Sequence, residues 1–186
     1  MPNVFIHATD TCYGFATPWN NIQGIKYIQG IKQRDKGKPF SLLFQNISQV
    51  KEFCYVSEKQ EVFIKDILEK NTPASFILEK KEVLKNYFPN FSSVSCRIEN
   101  DNFLVKMASL LACPVTSTSV NTSGEKPLYS PQEIQEKFPI DTVISASEFN
   151  KENIYNSLCF INSGDIQKNE PSAIWDLTKD LFIQIR

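Results

Sequence analysis

Helical periodicity is clearest in the first third of the chain. Ile22, Ile25 and Ile28 recur at the spacing of one helix face, and Ile31 continues the series, so a helix is predicted here. Residues 48–70 carry a second helical pattern, as one or two helices, and shorter patterns lie near residues 103–111 and 131–138. These segments predict helices distributed along the whole chain.

Short apolar runs lie between the helical patterns. Runs rich in β-branched and aromatic residues predict strands at residues 4–7, 40–44, 74–78, 94–98, 115–118, 142–144, 158–161 and 173–175. Polar residues 9–14 predict a turn between the first strand and the first helix. The alternation predicts an α/β fold, a twisted mixed sheet flanked by helices. Polar segments at Thr9, Lys32, Arg97 and Ser117 fall at element ends, where such sheets form a ligand cleft.

Length and composition narrow the class of protein. A chain of 186 residues with 41% apolar residues predicts one core and a single domain over residues 1–186. No run approaches the roughly 20 apolar residues of a membrane span and no basic leader is present, so a cytoplasmic protein without a membrane partner is expected. Five scattered cysteines without a CxxC pair argue against disulfides or structural zinc. A single histidine, His7, argues against a Ser-His-Asp hydrolase.

A run of hydroxyl and amide side chains follows the predicted strand at 115–118. Residues 116–124 read TSTSVNTSG, and such side chains bond readily to backbone groups and to ligands. We expect this run to line a pocket rather than to pack in the core, with Gly124 supplying the conformational freedom of the turn. The alternative is an ordinary Ser/Thr-rich turn before the helix near Pro131.

A cationic loop follows the first predicted helix. Lys32, Arg34, Lys36 and Lys38 fall within seven positions of a chain whose net charge is only −1. Arginine offers a planar fork of donors and lysine a mobile point charge, and both suit a polyphosphate. The alternative is a solvated helix end, where cations are favoured by the helix dipole.

Taken together, these segments resemble the YrdC/Sua5 family of threonylcarbamoyl-adenylate synthases. Residues 9–15 (TDTCYGF) resemble the family's PT[DE]TxYGL, residues 32–39 its KxR…KP, and residues 119–124 (SVNTSG) its SANxSG. Residues 94–97 (VSCR) resemble its SVxVR strand, residues 171–176 (PSAIWD) its PSTVVD, and Arg186 the arginine that closes the domain. The order of these six matches is that of the family.

The chain also departs from the family pattern. Ala8 stands where the family usually has proline, and residues 98–102 replace a turn that contains proline and histidine. The helix that the family places before its first strand is expected to be absent, and so is the C-terminal domain of Sua5-type members. The resemblance therefore implies the short YrdC-type architecture, a YrdC-like fold of the dsRBD-like/YrdC/RibB type with a concave ligand cleft.

The reaction that this resemblance implies is an adenylylation. L-threonine, bicarbonate or CO2, and ATP with Mg2+ are condensed to threonylcarbamoyl-AMP and pyrophosphate for the modification of tRNA, with no metal ligand from protein side chains. The implied recipient is a tRNA threonylcarbamoyltransferase complex, and tRNA itself is a possible partner.

The resemblance also implies roles for individual residues. Lys32 and Arg34 are expected to act in catalysis by facing the triphosphate. The residues expected to hold threonine are Thr9, Ser41, Arg97 and Ser117. The residues expected to contact ATP or the adenylate are Lys32, Arg34, Lys36, Lys38, Ser93, Ser119, Asn121, Pro127, Ser172 and Arg186.

Two other functions remain open from the sequence. An RNA-binding module would use the same basic cleft, although a pI of about 5.9 lacks the broad basic excess of strong backbone binders. The second function is carbamoyl transfer to another acceptor, as in the related domain of hydrogenase-maturation carbamoyltransferases.

Overall fold

The computed structural model describes residues 3–35, 37–70, 72–98, 107, 109–150 and 158–186. Four helices are described over their full length: α1 (Ile22–Ile31), α2 (Ile47–Phe53), α3 (Glu58–Glu69) and α4 (Pro131–Lys137). A short 3-10 helix lies at Glu82–Leu84. The strands are β1 (Val4–Ala8), β2 (Tyr13–Ala16), β3 (Ser41–Phe44), β4 (Ala74–Glu79), β5 (Ser93–Ile98), β6 (Val115–Ser119), β7 (Thr142–Ser145), β8 (Leu158–Asn162), β9 (Ala173–Asp176) and β10 (Ile183–Gln184). Residues 107 and 109–111 are also helical.

The strands form one mixed sheet in the order β10-β9-β4-β5-β3-β6-β2-β1-β8-β7. The pairs β1/β8, β3/β5, β4/β9 and β7/β8 are parallel, and the remaining pairs are antiparallel. Successive side chains of a strand point to opposite faces, yet Leu42 and Leu43 of β3 are both buried. The centre of the sheet is therefore covered on both faces, as the predicted mixed α/β fold requires.

Helix α1 packs on the sheet through Ile25 and Ile28, which are buried. The side chain of Asn21 caps its first turn by accepting a hydrogen bond from the Gly24 N–H at 3.0 Å. Gly24 lies so close to the sheet that a Cβ would come within 2.3 Å of Thr17 Oγ1. Close packing at Gly24 thus fixes where α1 lies and where its C-terminal end emerges.

The helical pattern over residues 48–70 belongs to two helices, α2 and α3. Asn46 caps the first by accepting from the Gln49 N–H. The second begins at a reciprocal capping box, in which Ser57 accepts from the Gln60 N–H and the Gln60 side chain accepts from the Ser57 N–H. The chain between the helices is extended at Cys54, which makes an isolated bridge with Lys80.

All eight predicted strands are present, each with one end shifted by one residue. Two further strands were not predicted. The turn expected at residues 9–14 was wrong in its last two residues, because Tyr13 and Gly14 begin β2, which pairs with β1 and β6 on its two sides. Strand β10 is only two residues long and depends on its pairing with β9. The predicted helices at residues 22–31 and 131–138 are confirmed, although the second ends one residue earlier, at Lys137. Of the helix predicted near residues 103–111, residues 107 and 109–111 are helical, and residues 103–106 and 108 lie outside the described part of the chain.

The polar run at residues 116–124 was expected to line a pocket, but its first residue is buried in the core instead. Thr116 is completely buried in β6, where its Oγ1 accepts a hydrogen bond from the Thr17 N–H at 3.1 Å. Because that bond satisfies the hydroxyl, a threonine fits the core at this position. Gly124 has a φ of 90°, so the predicted need for a flexible residue at the turn is confirmed.

Within the described residues, no helix combines the length and apolar character that crossing a membrane requires.

We expect Leu42→Ala to lower the free energy of unfolding by about 2 to 5 kcal/mol, since Leu42 is fully buried in central strand β3 and its loss leaves a cavity. Urea unfolding followed by circular dichroism measures the change. Val62→Ala is the control, because Val62 is 59% exposed on α3 and should change stability by no more than about 0.5 kcal/mol. Equal effects of the two substitutions would contradict the assigned core.

Candidate functional site

A cavity of about 320 Å³ opens on one side of the sheet centre. Its wall combines the turn after β1, the loop after α1, strands β3, β5 and β6, and the segment from Asn169 to the last residue, Arg186. Elements that are far apart in sequence thus meet at one hollow. The expectation of a concave cleft beside the sheet agrees with this geometry.

The three arginines of the chain, Arg34, Arg97 and Arg186, all line this cavity. The described lining residues include no lysine, aspartate or glutamate. Guanidinium groups bind carboxylate and phosphate oxygens through a planar fork of N–H donors. The three guanidinium groups in this lining therefore favour an anionic ligand.

Arg34 reaches the cavity from the loop after α1. Gln33 has a φ of 51°, which turns the chain between the end of the helix and Arg34. The guanidinium donates to the Pro39 carbonyl at 3.0 Å and the Lys38 carbonyl at 3.4 Å, and its Cζ lies 5.1 Å from the centre of the Phe40 ring. Burial lowers the pKa of Arg34, but an arginine keeps its charge at neutral pH.

Arg97 lies on β5 in the middle of the sheet and is only 8% exposed. Its Nη2 forms an ion pair with the Asp10 carboxylate, and its Nη1 lies 3.5 Å from Ser172 Oγ. The backbone carbonyl of Asp10 in turn accepts a hydrogen bond from the Asn169 side chain at 2.7 Å. The Asp10 turn therefore connects Arg97 to the C-terminal wall of the cavity.

Arg186 belongs to the C-terminal wall of the cavity. Its Nε donates to the Ser172 carbonyl at 3.0 Å and its Nη2 to Ser172 Oγ at 3.4 Å. The Arg186 carbonyl accepts from the Ile174 N–H, which ties the residue to β9. Ser172 is thus shared by Arg97 and Arg186, and it sets the spacing between two of the three cations.

Thr9 both organises its turn and lines the cavity. Its Oγ1 donates to the Cys12 carbonyl at 2.7 Å and accepts from the Thr11 and Cys12 N–H groups, each at 3.2 Å. Burial raises the pKa of the neighbouring Cys12 thiol, which also lines the cavity. A raised pKa favours the protonated thiol, which is a weaker nucleophile than the thiolate.

Serine hydroxyls from two adjacent strands form the floor of the cavity. Ser41 of β3 and Ser117 of β6 are register partners, and both line the cavity together with Ser119. Ser41 Oγ donates to Ser95 Oγ at 2.9 Å, whereas Ser119 Oγ donates to the Asn121 side-chain oxygen at 2.7 Å. These strands present polar groups to the cavity and apolar residues such as Leu42 to the core.

The structure brings most of the expected site residues together. On the cavity wall are Thr9, Arg34, Ser41, Arg97, Ser117, Ser119, Pro127, Ser172 and Arg186. The cavity also has lining residues that were not predicted, among them Ser75, Tyr129 and Asn169, because no motif in the sequence marks them. Each of these reaches the wall only through the folding of a distant segment.

Four expected residues do not line the cavity. Lys38 is exposed, and Ser93 lies four residues before Arg97, about 13 Å away along an extended strand. Lys32 is 1% exposed and Asn121 is 7% exposed, and both lie behind the wall. Lys36, also expected to contact ATP, lies outside the described residues.

Lys32 was expected to face a triphosphate, but its side chain points into the protein behind the cavity wall. Its ammonium donates to the Ser119 carbonyl, the Asn121 carbonyl and the Asn121 side-chain oxygen. Burial, followed by the positive charge of Arg34, lowers the pKa of Lys32 to about 7, whereas the three oxygens favour the ammonium form. The described hydrogen bonds of this side chain all go to protein oxygens.

In the part of the chain that the structure describes, no group of three or more histidine, cysteine, aspartate or glutamate side chains is placed to hold a metal ion.

The sequence and the fold both match one known family. A family model described as "Telomere recombination", of the Sua5/YciO/YrdC type, matches residues 3–186. The chain belongs to this family.

Individual relatives match at lower identity. A protein of Methanocaldococcus jannaschii is 26% identical over 188 residues, which cover 98% of this chain and 78% of that protein. The mouse threonylcarbamoyl-AMP synthase is 26% identical over 132 residues, 70% of this chain and 46% of its own length. The crystal structure of P. abyssi Sua5 complexed with L-threonine matches with a TM-score of 0.76 at 20% identity, over 98% of this chain and 49% of that chain. The YrdC-like fold is thereby confirmed, in a chain that spans about half the length of these last two proteins.

We expect inorganic pyrophosphate to raise the melting temperature of the protein, because three guanidinium groups face the cavity. At ten times its Kd, pyrophosphate should add about 1.4 kcal/mol to the free energy of unfolding, or about 3 to 6 °C in Tm. Differential scanning fluorimetry measures the shift, and Arg186→Gln should remove most of it.

Lys85→Gln is the control for this measurement, because Lys85 pairs with Glu82 at the surface, away from the cavity. An equal loss of the shift in both variants would indicate binding by surface charge alone.

Proposed function

We propose that this protein is an L-threonylcarbamoyladenylate synthase, which joins L-threonine, bicarbonate or CO2, and ATP and releases pyrophosphate. The observation that carries the proposal is the convergence of all three arginines on one cavity lined by hydroxyl groups. Two substrates of the proposed reaction carry anionic groups, namely the carboxylate of the amino acid and the phosphates of the nucleoside triphosphate. Membership of the family and similarity to proteins that bear this name support it.

Arg97 is the proposed partner of the threonine carboxylate. It lies deepest in the wall, on a central strand, and the hydroxyl groups of Thr9, Ser41 and Ser117 line the same cavity. A carboxylate bound to a buried guanidinium leaves the amine free to point into the cavity. Asp10 also pairs with Arg97, so threonine and Asp10 would share its five N–H donors.

The triphosphate is proposed to lie along Arg34 and Arg186. These two guanidinium groups enter the wall from the loop after α1 and from the last residues of the chain. Ser119, Pro127 and Ser172 line the same cavity and are proposed to contact the adenylate. Magnesium is proposed to enter with ATP, bound by phosphate oxygens, because the described lining residues include no aspartate or glutamate.

In the proposed reaction, the substrates supply the nucleophile. The threonine amine attacks CO2, forms a C–N bond and loses a proton to solvent, which gives a carbamate. A carbamate oxygen then bonds to the α-phosphorus, while the bond from that phosphorus to the bridging oxygen breaks and pyrophosphate leaves with the electron pair. The protein orients the two substrates and neutralises phosphate charge, and these two effects account for most of the catalysis in phosphoryl-type transfer.

The residues of the cavity suit a reaction in which the substrates supply the nucleophile and the protein supplies orientation and positive charge. A mechanism in which a substrate is the nucleophile requires no activated serine or cysteine, and Cys12 is a thiol with a raised pKa. Fixed cations are the groups that such a mechanism does require. A tRNA threonylcarbamoyltransferase complex is the proposed consumer of the product.

The proposal predicts that the purified protein forms threonylcarbamoyl-AMP from ATP, threonine and bicarbonate, with one pyrophosphate for each adenylate. Arg34→Ala should lower kcat by about 100-fold or more, because it removes a charge that stabilises the transferring phosphate. Mass spectrometry of the adenylate and a coupled pyrophosphate assay measure the two products.

Lys65→Ala is the matched control, since Lys65 pairs with Glu61 on the surface of α3 and should leave the rate unchanged. An unchanged rate in Arg34→Ala would remove Arg34 from the site. ATP turnover that does not depend on threonine, or tight RNA binding without an adenylate product, would contradict the proposed function.

A further inference from the structure

Lys32 joins two segments that are far apart in sequence. It directly follows α1, and its side chain is only 1% exposed. Its backbone carbonyl accepts a hydrogen bond from the Ser123 N–H at 2.8 Å. Backbone and side chain of Lys32 therefore both bind the segment from Ser119 to Ser123, which we call the hook.

The donors of the Lys32 ammonium are fully used by the hook. Its Nζ lies 2.5 Å from the Ser119 carbonyl, 2.9 Å from the Asn121 carbonyl and 2.7 Å from Asn121 Oδ1. An ammonium group has three N–H donors, so these three oxygens satisfy it. Its remaining surroundings include the Phe15 ring, whose centre lies 5.7 Å away. A phosphate could bind this ammonium only by displacing part of the hook.

The same contacts fix the orientation of the Asn121 amide. The oxygen of the amide must face the Lys32 ammonium, since an NH2 group there would oppose another donor. The amide nitrogen consequently points the other way, where Nδ2 donates to the Glu125 carbonyl at 2.7 Å. Lys32 thus decides which side of the amide accepts hydrogen bonds.

The amide orientation in turn determines the role of Ser119. Asn121 Oδ1 accepts the Ser119 hydroxyl proton at 2.7 Å, and Ser119 lines the cavity. A hydroxyl that has donated its one proton offers only lone pairs to a ligand. In this arrangement Ser119 is suited to accept a hydrogen bond from an N–H or O–H group, and poorly suited to a phosphate oxygen.

We propose that Lys32 is a positioning residue, which orients the Ser119 hydroxyl through Asn121 so that Ser119 accepts a hydrogen bond from a hydroxyl or amine of the substrate. The identity of that substrate rests on the proposed function. The orientation of the hook by Lys32 does not, because it follows from contacts within the protein. Lys32 acts from behind the cavity wall, and Arg34, two residues later, is the cation that faces the ligand.

Lysine labelling of the wild-type protein tests the first step. The native protein is treated with formaldehyde and cyanoborohydride, with and without Mg-ATP, and modified lysines are identified by mass spectrometry. We expect Lys32 to stay unmodified in both samples, whereas exposed Lys38 is modified without ATP. Modification of Lys32 without ATP, and protection by ATP, would show direct contact with the nucleotide and overturn the proposal.

A double-mutant cycle tests the second step. Ser119→Ala and Lys32→Met should each lower kcat/KM by about tenfold, the effect of one hydrogen bond worth about 1.4 kcal/mol. Because both changes remove the same interaction, the double variant should be no slower than Lys32→Met alone. If the double variant instead lost about 100-fold in kcat/KM, the product of the two single effects, Lys32 would act independently of Ser119 and the proposal would fail.

The labelling result stands even if Lys32→Met does not fold, since it uses only the wild-type protein. It also separates this inference from the proposed function. If the protein makes no threonylcarbamoyl-AMP but Lys32 stays unmodified without ATP, the proposed function is wrong. The inference that Lys32 is buried against the hook would still hold.

Discussion

Three positive charges facing one cavity repel each other, and the fold must hold them in place before any anion arrives. Each guanidinium has acceptors within the protein: Arg34 the carbonyls of its loop, Arg97 the Asp10 carboxylate, and Arg186 the backbone carbonyl of Ser172 and the Ser172 hydroxyl that it shares with Arg97. These partners leave the cations on the wall with their orientation already set. Preorganised charge of this kind needs no rearrangement when a substrate binds.

The sheet order explains how these partners come together. Strands β3, β5 and β6 are neighbours at the centre of the sheet. Ser41 is therefore the register partner of Ser117, although 76 residues separate them in the sequence, and Arg97 lies opposite Leu43, two residues beyond Ser41 on β3. The loop after α1 and the segment that contains Ser172 contribute further lining residues. The positive φ of Gln33 separates two cations that are close in sequence, one behind the wall and one on it.

Much of this arrangement could be predicted from the sequence, for physical reasons that differ between its parts. The eight predicted strands are long enough for their β-branched and aromatic residues to be recognised. Strand β2 was missed because Gly14 and the preceding polar residues indicate a turn, and only pairing on both sides makes the segment extended. The burial of Lys32 could not be predicted, since its acceptors lie 87 to 89 residues further along the chain.

The distribution of the two kinds of cation has a chemical consequence. The chain has 20 lysines and arginines, yet its only guanidinium groups are the three that line the cavity. An α-dicarbonyl compound condenses with guanidinium groups in preference to ammonium groups. Such a compound is ordinarily an unselective reagent for protein surfaces, but here every one of its preferred targets lies in a single hollow.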